Sequence, residues 1–283
     1  MKIVRLKSGL GNQMFQYALY KELMYRKQDV KLDLTYISKN VEHNGYELNK
    51  VFNVTPRYAT EEDIKICEDN GNIYYGLRKK LTGKETFSEI ERGINIDLFI
   101  CDNILIDGYW QNIKYFTHVK EELRKEYRFS SFNDTDNIAC ETSINNSNSV
   151  ALHVRKGDYL SQGFKDYYGS ICDVVYYKKA IKYIIDNVKN PKFFIFSDDF
   201  DWVENNLELP KGSVKVTWNN GDNSYRDMQL MSICKNMIIA NSTFSWWSAW
   251  LNENKGIIIA PSKWCLSKRK YKNALCLKEW NLI

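Results

Sequence analysis

Twice along the chain a short apolar strand runs into a turn and then a helix, and this rhythm restricts the fold more than any other feature. The first instance opens the sequence. Ile3 and Arg5 alternate with Val4 and Leu6, Ser8-Gly9-Leu10-Gly11 follows, and Met14/Ala18 with Phe15/Leu19/Leu23 recur at helical spacing. Val30, Leu32 and Leu34, alternating with charged residues, read as the next strand. Strands joined through a helix pair in parallel, so the chain begins as a βαβ unit.

The second instance starts at Ser149. Residues 149–154 read as a strand, and Val174–Val188 as a helix with Ala180, Ile181, Ile184 and Ile185 on its apolar side. A strand at 192–196, a helix at 228–234, a strand at 237–240, a helix at 243–251 and a last strand at 256–260 continue the alternation. Between the two instances, 61–67 and 112–128 read as helices and 104–108 as a strand; 70–76 carries turn signals, and the rest of 38–100 is weakly patterned. The polar stretch 130–149 is the expected boundary, giving an N-terminal domain over 1–140 and a C-terminal one over 141–283.

Composition narrows the function classes. Lys and Arg total 40 against 35 Asp and Glu, a net charge of +5. From Leu251 onward seven basic residues face only Glu253 and Glu279, so the surplus sits in the tail and residues 1–250 are neutral. A nucleic-acid-binding domain would carry its charge along a working face, which excludes that class. Seven scattered cysteines without Cys-x-x-Cys spacing, and three histidines, argue for buried thiols in a reducing compartment and against zinc. Residues 1–7 interleave charge with apolar residues, unlike a signal peptide, and no apolar run approaches the ~20 residues of a membrane span. A cytoplasmic protein is expected.

Four segments at strand ends carry candidate chemistry, where open α/β sheets place their ligands. Gly9-Leu10-Gly11-Asn12-Gln13 begins like a dinucleotide fingerprint, with Asp33 as the ribose acid, but Met14 stands where the third glycine belongs. A tight turn needing positive φ explains the glycines equally well, while Asn12 and Gln13 suit hydroxyl or phosphate partners. In His153-Val154-Arg155-Lys156-Gly157-Asp158, two cations and a histidine around a turn suit a departing diphosphate. An Arg155–Asp158 ion pair is the plainer reading. Ser197-Asp198-Asp199 offers one carboxylate to cap a helix and another to read a base. Asp199-x-Asp201 and Asp134-x-Asp136 also have the Asp-x-Asp spacing of metal–nucleotide sites, a pattern too short to inform. Asn241-Ser242-Thr243-Phe244-Ser245 is an N-cap rich in hydroxyls ahead of Trp246, Trp247 and Trp250, an anion cradle followed by core aromatics.

Together, Gly9–Ala18, Gly108-Tyr109-Trp110-Gln111, His153–Tyr159, Phe196–Asp199 and Asn241–Trp247 resemble the bacterial α-1,2-fucosyltransferases of glycosyltransferase family 11. The resemblance implies a GT-B-like α/β fold, two Rossmann-type domains facing each other across a cleft, with the acceptor on the N-terminal side and GDP-fucose on the C-terminal one. It implies transfer of L-fucose from GDP-β-L-fucose to the 2-hydroxyl of a terminal β-galactoside, with inversion, no cofactor and no metal. By the same matching Arg155 holds the diphosphate, Asp198 with His153 reads guanine, and Ser242, Thr243, Phe244 and Ser245 hold phosphates beside Ser197 and Asn241. Asn12 faces the fucose at the Gly9–Gly11 turn with Gln13. Asp158 serves as base or orients Arg155. The family usually has Arg at Lys156. Another GDP-fucose acceptor, a protein included, or an inactive nucleotide- or glycan-binding module are the competing readings, and an oxidoreductase rests on Gly9 and Gly11 alone. Lys268–Lys272 reads as a solvated tail or, for a lipid-linked acceptor, as a contact with anionic headgroups at the inner membrane face.

Overall fold

The computed structural model describes residues 1–40, 43–68, 97–157, 168–266 and 275–283. The chain divides into two compact units, Met1–Phe129 and Ser130–Ile283.

In the first unit β1 (Lys2–Arg5) leads into α1 (Leu10–Tyr25) and β2 (Val30–Asp33). β1 pairs in parallel with β2, Arg5 opposite Asp33, and with β3 (Ile104–Ile106), Val4 opposite Ile106, in the order β2-β1-β3. Ile3, Val4, Leu32, Ile104 and Ile106 are buried, and so are Met14, Phe15, Ala18, Leu19 and Leu23 of α1. The helix is covered on more than its apolar face: Gln13, Gln16 and Glu22 are buried as well. Two short helices, α2 (Thr35–Lys39) and α3 (Leu48–Val51), precede the helix expected over 61–67, which is α4 (Glu61–Glu68), and α5 (Asp97–Ile100) lies at the end of the weakly patterned region. The turn signals at 70–76 lie outside the described residues.

The single helix expected over 112–128 is instead a 3₁₀ turn, Ile113–Phe116, followed by α6 (Lys120–Glu126). The break has a local cause. The His118 backbone N–H donates to the Glu22 carboxylate at 3.1 Å, so it does not continue the helical ladder from Lys114.

The second unit contains α7 (Thr135–Asn145), β4 (Asn148–Val154), α8 (Val174–Asn187), β5 (Pro191–Ser197), α9 (Phe200–Asn206), β6 (Val214–Lys215), α10 (Tyr225–Ile233), β7 (Asn236–Ile238), α11 (Thr243–Leu251), β8 (Ile258–Ala260) and β9 (Asn281–Leu282). Its sheet is parallel throughout, in the order β6-β5-β4-β7-β8-β9. Counted from β4 as the first strand this is 3-2-1-4-5-6, the doubly wound dinucleotide-fold order. α8 buries Tyr176, Tyr177, Ala180, Ile181 and Ile184 against Val150, Leu152, Phe193 and Ile195. Ile185, expected on that face, is exposed.

Two expectations about the ends of this unit are corrected. The polar stretch read as a linker is the helix α7, and the division falls at Phe129/Ser130, not at 140/141. α7 hides only a narrow stripe, Asn137, Cys140 and Ile144, which its Asn, Ser and Thr content masks in the sequence. It is held at its start by Asp134, whose carboxylate accepts from the Asn137 N–H at 2.9 Å. Arg226 and Gln229 of α10 tie down the segment before it, both donating to the Ser130 carbonyl. At the other end, Ile258–Ala260 is not the last strand: Asn281–Leu282 returns to pair with Ile259 and Ala260. Trp280, buried edge-on against Trp246, anchors that return. Among the described residues no helix is long and apolar enough to cross a membrane.

Candidate functional site

In the second unit β4 and β5 end in register, His153 opposite Phe196 and Val154 opposite Ser197, while β7 ends at Ile238 on the other side of β4. The chain order reverses at β4, and a crevice opens beyond the strand ends at such a point. Arg155, Asp198 and the residues leading into α11 follow directly from these strands.

The Arg155 Nε lies 3.1 Å from Asp198 Oδ2, and the other carboxylate oxygen accepts from the Lys156 backbone N–H at 2.9 Å. Asp198 is thus Arg155's partner here; Asp158 lies outside the described residues. Gly157 makes the approach possible, since a Cβ there would stand 2.8 Å from Asp198 Oδ2. The Lys156 ammonium, expected on a diphosphate with Arg155, is instead turned into the domain. It donates to the Gly169 carbonyl at 3.2 Å and sits over the Trp202 ring, and burial lowers its pKa.

His153 is buried with its ring 6.0 Å from that of Phe244. Burial first, and the Arg155 charge second, pull its pKa down to about 3, so it is a neutral imidazole. Among the described residues its Nδ1 has no hydrogen-bond partner. A neutral ring can both donate and accept, which suits a polar ligand edge.

α11 begins at Thr243, as expected, with Ser242 as N-cap accepting from the Phe244 N–H at 3.3 Å. The first amide to reach a helical carbonyl is that of Trp246, on Ser242 at 2.9 Å. The Thr243 and Ser245 N–H groups therefore stand at the positive end of the helix. Two side chains expected here point elsewhere. The buried Ser245 hydroxyl donates to the Ala240 and Ser242 carbonyls, leaving only its backbone N–H toward the opening. The Asn241 amide donates to the Tyr168 and Trp264 carbonyls at 3.3 Å each and so braces two loops. The Ser197 hydroxyl accepts from the Asp199 N–H at 3.0 Å. Both Asp-x-Asp pairs begin with helix caps, Asp134 for α7 and Asp199 for α9, the latter accepting from the Trp202 N–H at 2.8 Å. All three tryptophans of α11 are buried, as core.

In the first unit Gly9 and Gly11 do not supply positive φ. Gly9, the N-cap of α1, has φ −73°, and the left-handed residue is Ser8 at φ 66°. Gly9 is small because the His43 ring lies where its side chain would be, 3.2 Å from an ideal Cβ. Gly11 is the buried second residue of α1. Gln13 is a strut: its amide donates to the Ser8 and Gly45 carbonyls at 2.8 Å and accepts from the Glu47 N–H at 3.0 Å. Asn12 is half-buried, donating to Ser8 Oγ and accepting from Gln111 Nε2 at 2.8 Å. Asp33, the ribose acid of the fingerprint reading, is buried on Arg5 at 2.7 Å and on the Thr35 N–H and hydroxyl.

Sequence reasoning assigned no role to Lys7, Asp107 or Tyr109, although Tyr109 lies in the matched segment Gly108–Gln111; the three meet at the ends of β1 and β3. The available signal was Asp107, a charge directly after the buried run Ile104-Leu105-Ile106.

Residues 94–283 match the sequence model described as Glycosyl transferase family 11. An alpha-1,2-colitosyltransferase of Escherichia coli is 34% identical over 98% of this chain and 97% of its own length. The O-antigen biosynthesis glycosyltransferase WbnK of Escherichia coli is 33% identical over 97% and 98%. More distantly, the galactoside alpha-(1,2)-fucosyltransferase 1 of Homo sapiens is 22% identical over 55% of this chain and 45% of its own. Among solved structures, the fucosyltransferase NodZ from Bradyrhizobium superposes with a TM-score of 0.52 at 12% identity, covering 88% of this chain and 92% of that one, and so carries the same GT-B fold. With the family match over more than half its length and relatives aligned along nearly all of it, the chain belongs to glycosyltransferase family 11.

Proposed function

We propose that this glycosyltransferase moves L-fucose from GDP-β-L-fucose to the 2-hydroxyl of a terminal β-galactoside, forming an α-1,2 linkage with inversion and without a metal. The observation that supports it is the grouping of Arg155, Asp198, neutral His153 and the N-terminus of α11 at the switch of a dinucleotide-type sheet.

Asp198 reads guanine, with His153 beside it. A carboxylate has about four acceptor positions, so the Lys156 N–H and Arg155 leave room for the guanine N1–H and amino group. Arg155 and the Thr243 and Ser245 amides take the diphosphate. As the sugar–phosphate bond breaks, negative charge grows on the departing GDP and positive charge on the sugar ring. Donors fixed in advance where charge develops usually supply the largest share of such catalysis. The acceptor oxygen attacks the opposite face in one displacement, its proton passing to a base such as Asp158. The enzyme works in the cytoplasm, with Lys268–Lys272 meeting anionic lipid at the inner membrane face when the acceptor is lipid-linked.

A second donor is favoured by one observation, the colitosyltransferase aligned along nearly the whole chain. Colitose is fucose without its 3-hydroxyl. Supplying GDP-fucose and GDP-colitose separately with a panel of β-galactosides, and reading the product linkage by NMR, decides the donor. An α-1,2-fucosylated galactoside formed in EDTA supports the main reading. Colitose transfer alone replaces the donor, and loss in EDTA with recovery in Mn²⁺ overturns the metal-free step.

A further inference from the structure

The ends of β1 and β3 carry four charges arranged to cancel. Arg5 Nε lies 2.7 Å from Asp33 and its Nη1 3.6 Å from Asp107, and Asp107 also holds the Lys7 ammonium. Among the described residues two cations face two carboxylates here, so these four groups together offer no net charge to draw a phosphate or an acidic sugar. The Lys7 ammonium also sits 4.9 Å from the centre of the Tyr109 ring, and that ring is exposed.

The frame around Tyr109 is rigid. Buried Gln16 accepts from the Lys7 N–H and donates to the Gly108 carbonyl, both at 3.1 Å, pinning the strand end to the loop. Trp110, next to Tyr109, is fully buried, and a Cβ on Gly108 would stand only 2.9 Å from its ring. Trp110 has φ 55° and Ser8 φ 66°. A bulky residue held in the left-handed region costs of order 1–3 kcal/mol, and such strain clusters at ligand sites. With Trp110 packed inward, Tyr109 stands outward. Gln111 then reaches Asn12 at 2.8 Å, joining the loop to the start of α1.

We propose that this edge is the acceptor subsite and takes the terminal pyranose ring of a neutral glycan, the Tyr109 ring against its C–H face and Asp107 accepting from its hydroxyls. The proposal rests on the galactoside reading above. An aromatic ring matches the apolar face of a pyranose, while a carboxylate with unused lone pairs matches its hydroxyls. Lys7 holds both groups in place at once.

The test uses lactose as the probe, read by saturation-transfer NMR on the full chain with and without GDP. Calorimetry of GDP and thermal unfolding accompany each variant. Lactose is expected to contact the wild type, to lose at least tenfold in affinity in Tyr109→Ala, and to be kept in Tyr109→Phe. GDP affinity and the unfolding temperature stay unchanged in both. Undiminished contact in Tyr109→Ala overturns the subsite, as does tighter binding of galactose 6-phosphate than of lactose, or no lactose contact at all. A loss in Tyr109→Ala that comes with weaker GDP binding or a lower unfolding temperature makes Tyr109 structural and also overturns it. If the wild type binds lactose but not GDP, the donor reading fails and the subsite stands.

Discussion

The two units place their polar groups at the same point of the same kind of sheet, beyond the carboxyl ends of parallel strands, yet furnish them in different ways. At the ends of β1 and β3 the charges are already spent on one another, Asp33 with Arg5 and Asp107 with Lys7. Beyond the ends of β4, β5 and β7 Arg155 is likewise paired, with Asp198, but a neutral imidazole and the N-terminus of α11 add donors that carry no such partner charge. A surface whose charges are paired has little left for a polyanion and suits a neutral ring. One that accumulates donors is built for a ligand that brings its own negative charge. On the proposed reading the difference separates two jobs, holding a sugar and receiving a leaving group.

The widest break in that comparison comes from Arg155. Arg155→Ala should lower turnover by about 10²–10³-fold, the usual loss when one charge-stabilising donor is removed, and weaken GDP in calorimetry. Circular dichroism should stay that of the wild type. Unchanged GDP affinity would sink the diphosphate assignment and erase the contrast between the units.

Gln13 tests the opposite proposition, that amides near a site can be framework. Its side chain serves the Ser8 and Gly45 carbonyls and the Glu47 N–H. Each buried polar group left unpaired costs about 1–3 kcal/mol. Gln13→Ala should therefore cost roughly 3 kcal/mol of stability in urea unfolding, with GDP affinity unaltered. A stable variant with impaired GDP binding would return Gln13 to the site.

Gln13 also shows where legibility ended. The α11 start was readable because Asn241-Ser242-Thr243 caps a helix only one way, and the β4, β5 and β7 runs were readable because strands buried on both faces are continuously apolar. Amides carry no such signature. Gln13 and Asn241 both have donors and acceptors that serve backbone or ligand equally, and in both the backbone won. α7 was missed because Asn137, Cys140 and Ile144 make too thin a stripe to stand out. β9 was missed because two residues, Asn281 and Leu282, have no periodicity to read. Asp107 escaped notice, and Tyr109 was matched without a role, because their partnership with Lys7 spans about a hundred residues of sequence and exists only once β1 and β3 pair.

Asp227 sets a second contrast, between two buried titratable groups of one unit. Burial pushes its carboxyl up to about 7 against the opposing hydrogen bond from Asn219, whereas burial pulls His153 down to about 3. The signs follow. Folded Asp227 holds a proton that the unfolded chain releases, so its contribution is full below the ordinary carboxylate range and is lost as pH rises through about 7. The His153 contribution is full above the ordinary imidazole range and is lost as pH falls toward about 3. Asp227→Asn should remove the fall in stability that Asp227 contributes between about pH 4 and 7, the span between its unfolded and folded carboxyl pKa values. The His153 contribution, which overlaps that span and has the opposite sign, should remain, so the variant's unfolding temperature should rise with pH more steeply than the wild type's over the shared range. Identical profiles for variant and wild type would mean that Asp227 is ionised in the fold.

The smallest effect separates a cap from a cap that is also a ligand site. Asp173 and Ser242 do the same local work. Asp173 accepts from the Tyr176 N–H at 2.8 Å at the start of α8, and Ser242 accepts from the Phe244 N–H at 3.3 Å at the start of α11. Replacing either by Ala should cost about 1 kcal/mol of stability, the usual price of a lost N-cap. Only at α11 is the helix end proposed to meet phosphate. Ser242→Ala should therefore also change GDP affinity, by less than tenfold, because the Phe244 N–H that it uncaps becomes one more donor while the loop before it loosens. Asp173→Ala should leave GDP affinity where it was. Equal GDP affinities in the two variants, at equal loss of stability, would show that the start of α11 is a cap and nothing more.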